Sequence, residues 1–195
     1  MQFLHPITLK GSYATLEPLS PDHHDALIAA VSDGKLWRLW YTAIPKPENM
    51  RAEIGRRMEL QEQGKMLPFA IRRHDTGALC GMTTYMNVDA MHRRVEIGST
   101  WTAASAQRTG INTECKLMLL SHAFDNLHCI AVEFRTNWMN QQSRNAILRL
   151  GAKQDGVLRN HQRMPDGSLR DTVVFSIIES EWPTVKRHLQ FKLGH

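Results

Sequence analysis

The sequence predicts a mixed α+β fold in three layers (α/β/α), with a mostly antiparallel sheet of about seven strands and helices on both faces. Segments with alternating apolar and polar residues follow one another in the middle of the chain, and segments with helical periodicity separate the remaining strands. The resulting order, β-α-α-β-β-β-α-β-α-β-β-α, places helices on both faces of one sheet. With 195 residues, 42% of them hydrophobic, we expect a single domain over residues 1–195.

The first third of the chain predicts one strand and two helices. Residues 12–18 alternate as a strand does, and the sequence Ser-Pro-Asp from Ser20 supplies an N-cap, a proline in the first turn and an acidic residue. Gly34 predicts the end of this helix, and a second helix is predicted over about 47–63. The apolar face of the first helix consists of Ala26, Leu27, Ala30 and Val31.

The remaining two thirds of the chain predict an antiparallel meander and then alternating elements. The meander comprises strands at 67–73, 78–86 and 93–101. A helix over about 111–126, a strand at 129–136 and a helix over about 141–150 follow. The turn Pro165-Asp166-Gly167 joins the strands of a terminal hairpin, and Ser180 is expected to cap a last helix that contains Trp182.

Composition argues against several classes of protein. No apolar run approaches the roughly 20 residues that a membrane helix needs, and the first residues lack the apolar core of a secretory signal. We therefore expect a cytoplasmic protein without a membrane partner. Three cysteines, Cys80, Cys115 and Cys129, lie in apolar segments without close pairing, which predicts buried thiols rather than a disulfide framework or a metal site.

The net charge of +5 indicates an anionic partner, because summed positive charge steers phosphates and acidic surfaces into a site. The basic pairs are scattered and none is interleaved with aromatic residues, so we expect no nucleic-acid partner. We expect each pair to lie on a solvated face. The pairs are Arg56-Arg57, Arg72-Arg73 and Arg93-Arg94.

The most informative segment is a strand at 95–101 that runs into a polar loop and opens a helix near residue 111. Backbone N–H groups at a helix start lack internal partners and lie at the positive end of the helix dipole, so a pyrophosphate can bind there. Gly110 permits close approach of the backbone, and Arg108 adds positive charge. Many polar loops precede helices only for capping, so this pattern alone leaves both interpretations open.

Three motifs in order resemble the GNAT acetyltransferase superfamily. Residues 107–112 resemble its acetyl-CoA loop, (Q/R)-x-x-G-x-(G/A), and the segment from Asn140 to Gly151 resembles its asparagine-to-glycine segment. The C-terminal part resembles the RimJ/RimL branch, the ribosomal-protein N-terminal acetyltransferases, at Gly156-Val157-Leu158-Arg159, Asp166-Gly167, Asp171 and Glu181-Trp182. This resemblance covers nearly the whole chain and implies the GNAT fold, an N-acetyltransferase activity and acetyl-CoA as cofactor.

The resemblance also implies where the cofactor binds. The strand at 95–101 is expected to splay from the one at 129–136, so that its backbone pairs with the pantetheine arm. The implied cofactor-binding residues are Ile97, Ser99, Trp101, Gln107, Arg108, Thr109, Gly110, Ile111, Asn112, Thr113, Asn140 and Ser143.

Two positions depart from the family pattern. Asn112 stands where the loop usually ends in glycine or alanine. Ile147 stands where many members have a tyrosine that protonates the leaving thiolate, so a tyrosine acid at this position is excluded. RimL-like enzymes have a serine near the thiol, and by resemblance Ser143 takes that place as a catalytic residue.

Direct attack of an amine on a thioester requires a group that accepts the ammonium proton, but no covalent enzyme intermediate. Glu96 is our candidate base, directly or through water, because a desolvated carboxylate has a raised pKa. The alternative for Glu96 is a strand residue that faces solvent or pairs with Arg94. The rival bases are His92, His122 and His128.

The acceptor is expected to be a primary amine, either a protein N-terminus, an amino acid or another small amine. Trp37, Trp40 and Tyr41 lie between the first two helices, where they offer aromatic faces to its ammonium or else belong to the core. Asp171 either contacts the ammonium or stabilises the terminal hairpin.

Two expectations concern the protein as a whole. Ile147 leaves open a non-catalytic acyl-CoA-binding or sensing protein as the alternative function. A homodimer is predicted through the terminal hairpin and the helix of Trp182.

Overall fold

The computed structural model describes residues 3–194, which form one eight-stranded sheet in the order β1-β2-β3-β4-β5-β6-β8-β7. The strands are β1 Leu9–Lys10, β2 Ala14–Pro18, β3 Met66–Arg73, β4 Leu79–Asp89, β5 Arg94–Thr102, β6 Ala131–Asn137, β7 Lys153–Arg163 and β8 Leu169–Ile178. The α-helices are α1 His24–Ser32, α2 Met50–Glu62, α3 Ile111–Ser121, α4 Gln141–Arg149 and α5 Trp182–Lys192. A π-helical turn, His122–Asn126, continues α3 to the end that the sequence predicted.

The sheet is mostly antiparallel, as predicted. Neighbouring strands pair antiparallel except β5 and β6, which pair parallel only from Arg94 to Glu96. The strand count of about seven missed β1, because two residues are too short to show an alternating pattern.

Helices cover both faces of the sheet. Arg57 of α2 donates to Thr84, whereas Lys116 of α3 donates to Thr83. Successive strand side chains point to opposite faces, so α2 and α3 lie on opposite sides. The core between these layers is built on large, fully buried side chains such as Phe69, Tyr85, Phe134 and Phe175.

The predicted N-cap of the first helical segment is present. The Ser20 hydroxyl accepts the N–H of Asp22 at 3.2 Å, and Gly34 after α1 has φ +91°, a conformation that favours glycine. The buried face of α1 is Leu27, Ala30 and Val31, whereas Ala26 is exposed, so the predicted apolar face is one residue too wide.

The start of α5 differs from the prediction. Ser180 lies inside a 3₁₀ turn, Glu179–Glu181, and its side chain caps no helix within residues 3–194. Trp182 begins α5 and is 5% exposed, with its ring stacked on Phe124 at 5.2 Å between centroids. Trp182 itself is therefore part of the core, whereas Phe191 of the same helix is 78% exposed.

The three cysteines are free and buried, as predicted. Burial raises the pKa of the Cys80 and Cys129 thiols to about 11 and that of Cys115 to about 12, so all three stay protonated at neutral pH. Within residues 3–194, no helix combines the length and the apolar character needed to cross a membrane.

Candidate active site

A cleft opens in the sheet where β5 and β6 separate. Glu96 and Glu133 form the last pair between these strands, yet β5 continues to Thr102 and β6 to Asn137. The backbone of β5 beyond Glu96 therefore has an edge that β6 does not cover. Parallel strands end at the same sheet edge, so α3 and α4, which follow β5 and β6, both begin at the mouth of this cleft.

A β-bulge lies on the open part of β5. Thr84 pairs with Gly98 and Met82 pairs with Trp101, so Ser99 and Thr100 together oppose a single residue of β4. Ser99 has φ +48°, in the left-handed region. Such a bulge bends the strand and re-aims its polar groups, and bulges are frequent next to active sites.

The start of α3 presents free backbone donors. The Thr109 hydroxyl donates to the carbonyl of Ala106 at 2.7 Å and accepts the N–H of Ile111 at 3.3 Å. For the next N–H groups, those of Asn112 and Thr113, residues 3–194 provide no acceptor. Together with the exposed Arg108 beside them, these donors suit an anion.

Gly110 faces a tyrosine rather than open space. A Cβ at Gly110 would lie 3.3 Å from the ring of Tyr13. Glu114 of α3 holds Tyr13 in place, because its carboxylate accepts the N–H groups of Ser12, Tyr13 and Ala14 at 2.6–2.9 Å. An open cavity of about 350 Å³ adjoins this contact and is lined by Ser12, Tyr13, His74, Asp75, Thr109 and Ile111.

Glu96 is a buried carboxylate at the point where the cleft begins. It is 5% exposed, accepts a hydrogen bond from Asn87 Nδ2 at 2.7 Å and lies 3.5 Å from Arg135 Nε. Burial raises its pKa, and this effect exceeds the lowering by Asn87 and Arg135. The alternative interpretation is wrong, because Glu96 does not face solvent and Arg94 pairs with Glu133 at 2.5 Å instead.

Gly98 makes room for this carboxylate. A Cβ at Gly98 would lie 2.8 Å from Glu96 Oε1 and 2.7 Å from Met86 Sδ, so all three positions share one face. Gly98 pairs with Thr84, which Arg57 of α2 contacts. The Glu96 carboxyl is therefore on the face of the sheet that α2 covers.

The aromatic loop that joins α1 to α2 divides into two parts. Trp37 is half-buried and packs against the core. Trp40 is 57% exposed, and its ring meets that of Tyr41 edge to face at 5.7 Å. Trp40 and Tyr41 are thus available to a ligand, whereas Trp37 supports the loop.

At the start of α4, Asn140 is the N-cap, because its Oδ1 accepts the N–H of Ser143 at 3.0 Å. Ser143 does not cap this helix, and its hydroxyl makes no hydrogen bond with residues 3–194. Ile147 lies one turn further along and is 8% exposed, in the core. The only hydroxyl in the first two turns of α4 is therefore that of Ser143.

The rival bases are less well placed. His92 lies in the β4–β5 turn, 65% exposed, and pairs with Asp89 at 2.9 Å. Burial lowers the pKa of His122 at the end of α3, and His128 is exposed in the loop before β6. None of these three histidines lies on the open edge of β5.

Asp171 is engaged by its own hairpin. Its carboxylate accepts the N–H of Asn160 at 2.7 Å and forms an ion pair with Arg159. The hydrogen bond from Asn160 is the main reason that the pKa of Asp171 is lowered. This geometry supports the structural interpretation of Asp171.

Two buried cations of the structure were not predicted from the sequence. Arg57 is 2% exposed, so the expected solvated face is wrong for this member of its pair, and Lys116 is 6% exposed. A signal for Arg57 exists in the sequence, because its spacing from the buried Met50 and Ile54 is helical and places all three on one face of α2. Lys116 likewise lies among the buried residues of α3.

Residues 14–153 match the acetyltransferase (GNAT) domain family. The chain is 32% identical over 106 residues to YdaF of Bacillus subtilis (strain 168), provisionally assigned as a ribosomal N-acetyltransferase; this match covers 54% of the chain and 57% of YdaF. A GCN5-related N-acetyltransferase from Brucella melitensis superposes with a TM-score of 0.83 at 28% identity, covering 96% of this chain and 85% of that one.

The fold also matches Mycobacterium smegmatis RimJ in complex with CoA-disulfide. The TM-score is 0.80 at 23% identity, and 98% of each chain is covered.

Proposed function

Because the chain belongs to the acetyltransferase (GNAT) domain family, whose members use acetyl-CoA, we propose that it transfers an acetyl group from acetyl-CoA to a primary amine. The observation that carries this proposal is the position of Glu96. A buried carboxyl with a raised pKa lies at the last residue of β5 that pairs with β6, where the cleft opens. A base is needed there because the attacking amine must lose a proton.

The residues of the cleft fit acetyl-CoA. The free N–H groups of Asn112 and Thr113, with Arg108, suit its pyrophosphate. The uncovered edge of β5 suits the amide-bearing pantetheine arm, and the buried indole N–H of Trp101 has no partner within residues 3–194. When bound, acetyl-CoA supplies the activated acetyl thioester.

Glu96 is proposed to accept the proton of the acceptor ammonium, directly or through a water. Its raised pKa increases its basicity while leaving it ionised above that pKa. Asn87 and Arg135 fix the orientation of the carboxyl group.

Ser143 is proposed to donate its hydroxyl proton in a hydrogen bond to the cofactor sulfur as negative charge develops there. The free hydroxyl and its place in the first turn of α4, at the mouth of the cleft, support this role. The Oδ1 atom of Asn140 already accepts the hydrogen bond that caps α4. Its Nδ2 group is therefore the one that can bind the pantetheine or the acceptor.

The acceptor is proposed to approach from the face of the sheet that α2 covers, because the Glu96 carboxyl points to that side. Trp40 and Tyr41 lie in the loop that leads into α2. Aromatic faces favour a cationic ammonium. The name of YdaF, a ribosomal N-acetyltransferase by its provisional assignment, makes peptides of ribosomal proteins with a free N-terminal amine the first acceptors to test, before amino acids and other small amines.

The test is release of free thiol from acetyl-CoA with and without a panel of such amines, with mass spectrometry of the amine. We expect release that depends on the amine and an acetylated product in equal amount. Acetyl-CoA binding without amine-dependent release would overturn the proposal and favour the alternative of an acyl-CoA-binding or sensing protein.

We further propose a homodimer in which the β7–β8 hairpin and α5 make the two-fold contact, because Leu158 and Leu169 of the hairpin are 41% and 52% exposed and Phe191 of α5 is 78% exposed. Sedimentation at high micromolar concentration is expected to give a dimer mass. A monomer mass would overturn this proposal without affecting the acetyl transfer.

A further inference from the structure

Two buried cations meet the bulge of β5 from opposite faces of the sheet. On one face, Arg57 of α2 donates from Nη1 to the Thr84 hydroxyl at 2.7 Å and from Nη2 to the carbonyl of Ser99 at 3.2 Å. Its side chain is 3% exposed. The guanidinium thus joins α2, β4 and the bulged residue of β5.

On the other face, Lys116 of α3 reaches the same bulge. Its Nζ donates to the hydroxyls of Thr100 at 2.8 Å and Thr83 at 3.2 Å. These hydroxyls lie 2.8 Å apart, and Thr100 also donates to the carbonyl of Gly98 at 3.3 Å. The two residues of β5 that oppose one residue of β4 are therefore each tied to a buried cation.

The two cations differ in their counterions. Arg57 pairs with Glu53 at 2.7 Å, which also binds the exposed Arg56. Lys116 hydrogen-bonds only hydroxyls within residues 3–194, and burial lowers its pKa to about 8. A buried ammonium without a carboxylate costs stability, so packing alone does not account for it.

We propose that Arg57 and Lys116 are positioning residues that hold the β5 bulge from both faces, so that its backbone keeps the geometry in which the acetyl thioester binds and reacts. Both positive charges also lie behind the open edge of β5, where they stabilise negative charge that develops on a bound acyl oxygen. This inference rests on the proposed acetyl transfer, and neither residue exchanges a proton with substrate.

The contacts of Arg57 and Lys116 determine which variants test this proposal. Lys116→Met removes the ammonium but leaves Thr83 and Thr100 bonded to each other. Arg57→Lys keeps the charge but loses the fork that reaches Thr84 and Ser99 together. Arg56→Lys is the matched control, because Arg56 lies on the same helix and binds the same Glu53 but makes no hydrogen bond to β5 among residues 3–194.

Turnover and thermal stability are measured on each variant. For Lys116→Met we expect kcat to fall about tenfold or more, KM for acetyl-CoA to stay within about twofold, and the melting temperature not to fall, because a buried unpaired charge is removed. Arg57→Lys is expected to lower kcat similarly, and Arg56→Lys to change it less than about twofold. Wild-type kcat in both Arg57→Lys and Lys116→Met would overturn the proposal. Losses of kcat that are explained by a lower melting temperature would overturn it as well.

Amide hydrogen exchange of residues 96–102 without cofactor separates this proposal from the proposed function. We expect faster exchange there in Arg57→Lys and Lys116→Met, and wild-type exchange in Arg56→Lys. Unchanged exchange in both Arg57→Lys and Lys116→Met would overturn the proposal that these residues hold the bulge, even in an active enzyme. Faster exchange in these variants of a protein without amine-dependent turnover would overturn the proposed function. It would still support the role of Arg57 and Lys116 in holding the bulge.

Discussion

Glu96, at the cleft between β5 and β6, and Asp171, in the terminal β7–β8 hairpin, are carboxyl groups in opposite electrostatic environments. In the hairpin, Asp171 is paired with Arg159, which is 81% exposed, and the pKa of Asp171 is lowered. Glu96 at the cleft is buried and its pKa is raised, while Lys116 behind the β5 bulge is buried and its pKa is lowered. Both shifts oppose the charged form, as burial does.

This difference indicates which charges serve folding and which serve chemistry. A carboxylate with a lowered pKa stabilises the fold when ionised, whereas one with a raised pKa weakens it when ionised. Perturbation of this second kind, in a cleft, makes the residue a candidate for a functional site. Removing the charge of Glu96 and removing that of Asp171 are therefore expected to change stability in opposite directions.

The largest effect is expected from Glu96→Gln. Turnover should fall by about 10²–10⁴-fold, the contribution of a general base. The melting temperature at pH 8 should rise, because the raised pKa means that the ionised carboxyl weakens the fold; this gain should vanish as the pH falls toward 4.5. Calorimetry across this range checks the sign, and a lower melting temperature at pH 8 would place Glu96 with the structural carboxylates of the hairpin.

The next largest effect is expected from Gly110→Glu, which should weaken the binding of acetyl-CoA. The new side chain points at Tyr13 and adds negative charge at the start of α3. Acetyl-CoA at 100 times its Kd should stabilise the wild type by about 2.7 kcal/mol, and the variant should lose most of that shift while still folding. Wild-type affinity in Gly110→Glu would show that the pyrophosphate binds elsewhere.

A smaller effect is expected from Ser143→Ala. Single-turnover rates should fall about tenfold to a hundredfold with little change in acetyl-CoA affinity, because the proposed hydrogen bond forms only as the sulfur gains charge. Stability should hardly change, since Asn140 and not Ser143 caps α4. Asn140→Ala is the comparison variant and should cost about 1 kcal/mol of stability through the lost cap, along with weaker binding. An unchanged rate in Ser143→Ala would remove this serine from the mechanism.

The smallest effect on turnover is expected in the hairpin. Asp171→Asn should leave turnover within about twofold of wild type and lower the melting temperature at neutral pH, because its lowered pKa means that the ionised form stabilises the fold. The loss should shrink as the pH falls through 3.8 and below. A large loss of turnover would instead support a contact between Asp171 and the acceptor ammonium.

Local patterns in the sequence predicted most of the fold. The caps, glycine stops and alternating strands of the meander are each encoded within a few residues, as at Ser20 and Gly34. The bulge at Ser99 escaped prediction because it depends on the register between β4 and β5. The contact of Tyr13 with Gly110 escaped it for a similar reason, since it depends on hydrogen bonds to Glu114 across about a hundred residues of sequence.

The candidate site was predicted unevenly for the same reason. Glu96 and Ser143 follow from a strand and a helix start that local motifs identify. The buried cations are different, because a charged residue type predicts exposure. Arg57 and Lys116 are buried because hydroxyl and carbonyl partners converge on them from other elements.

The pH dependence of kcat/KM tests most directly the claim that Glu96 takes the ammonium proton. With one aliphatic amine of known pKa as acceptor, the acidic limb of the wild type should lie above 4.5, the ordinary glutamate pKa, and below the pKa of the amine. In Glu96→Gln the limb should move up to the pKa of the amine, because the acceptor must then arrive already deprotonated. The same limb in both proteins would contradict the account.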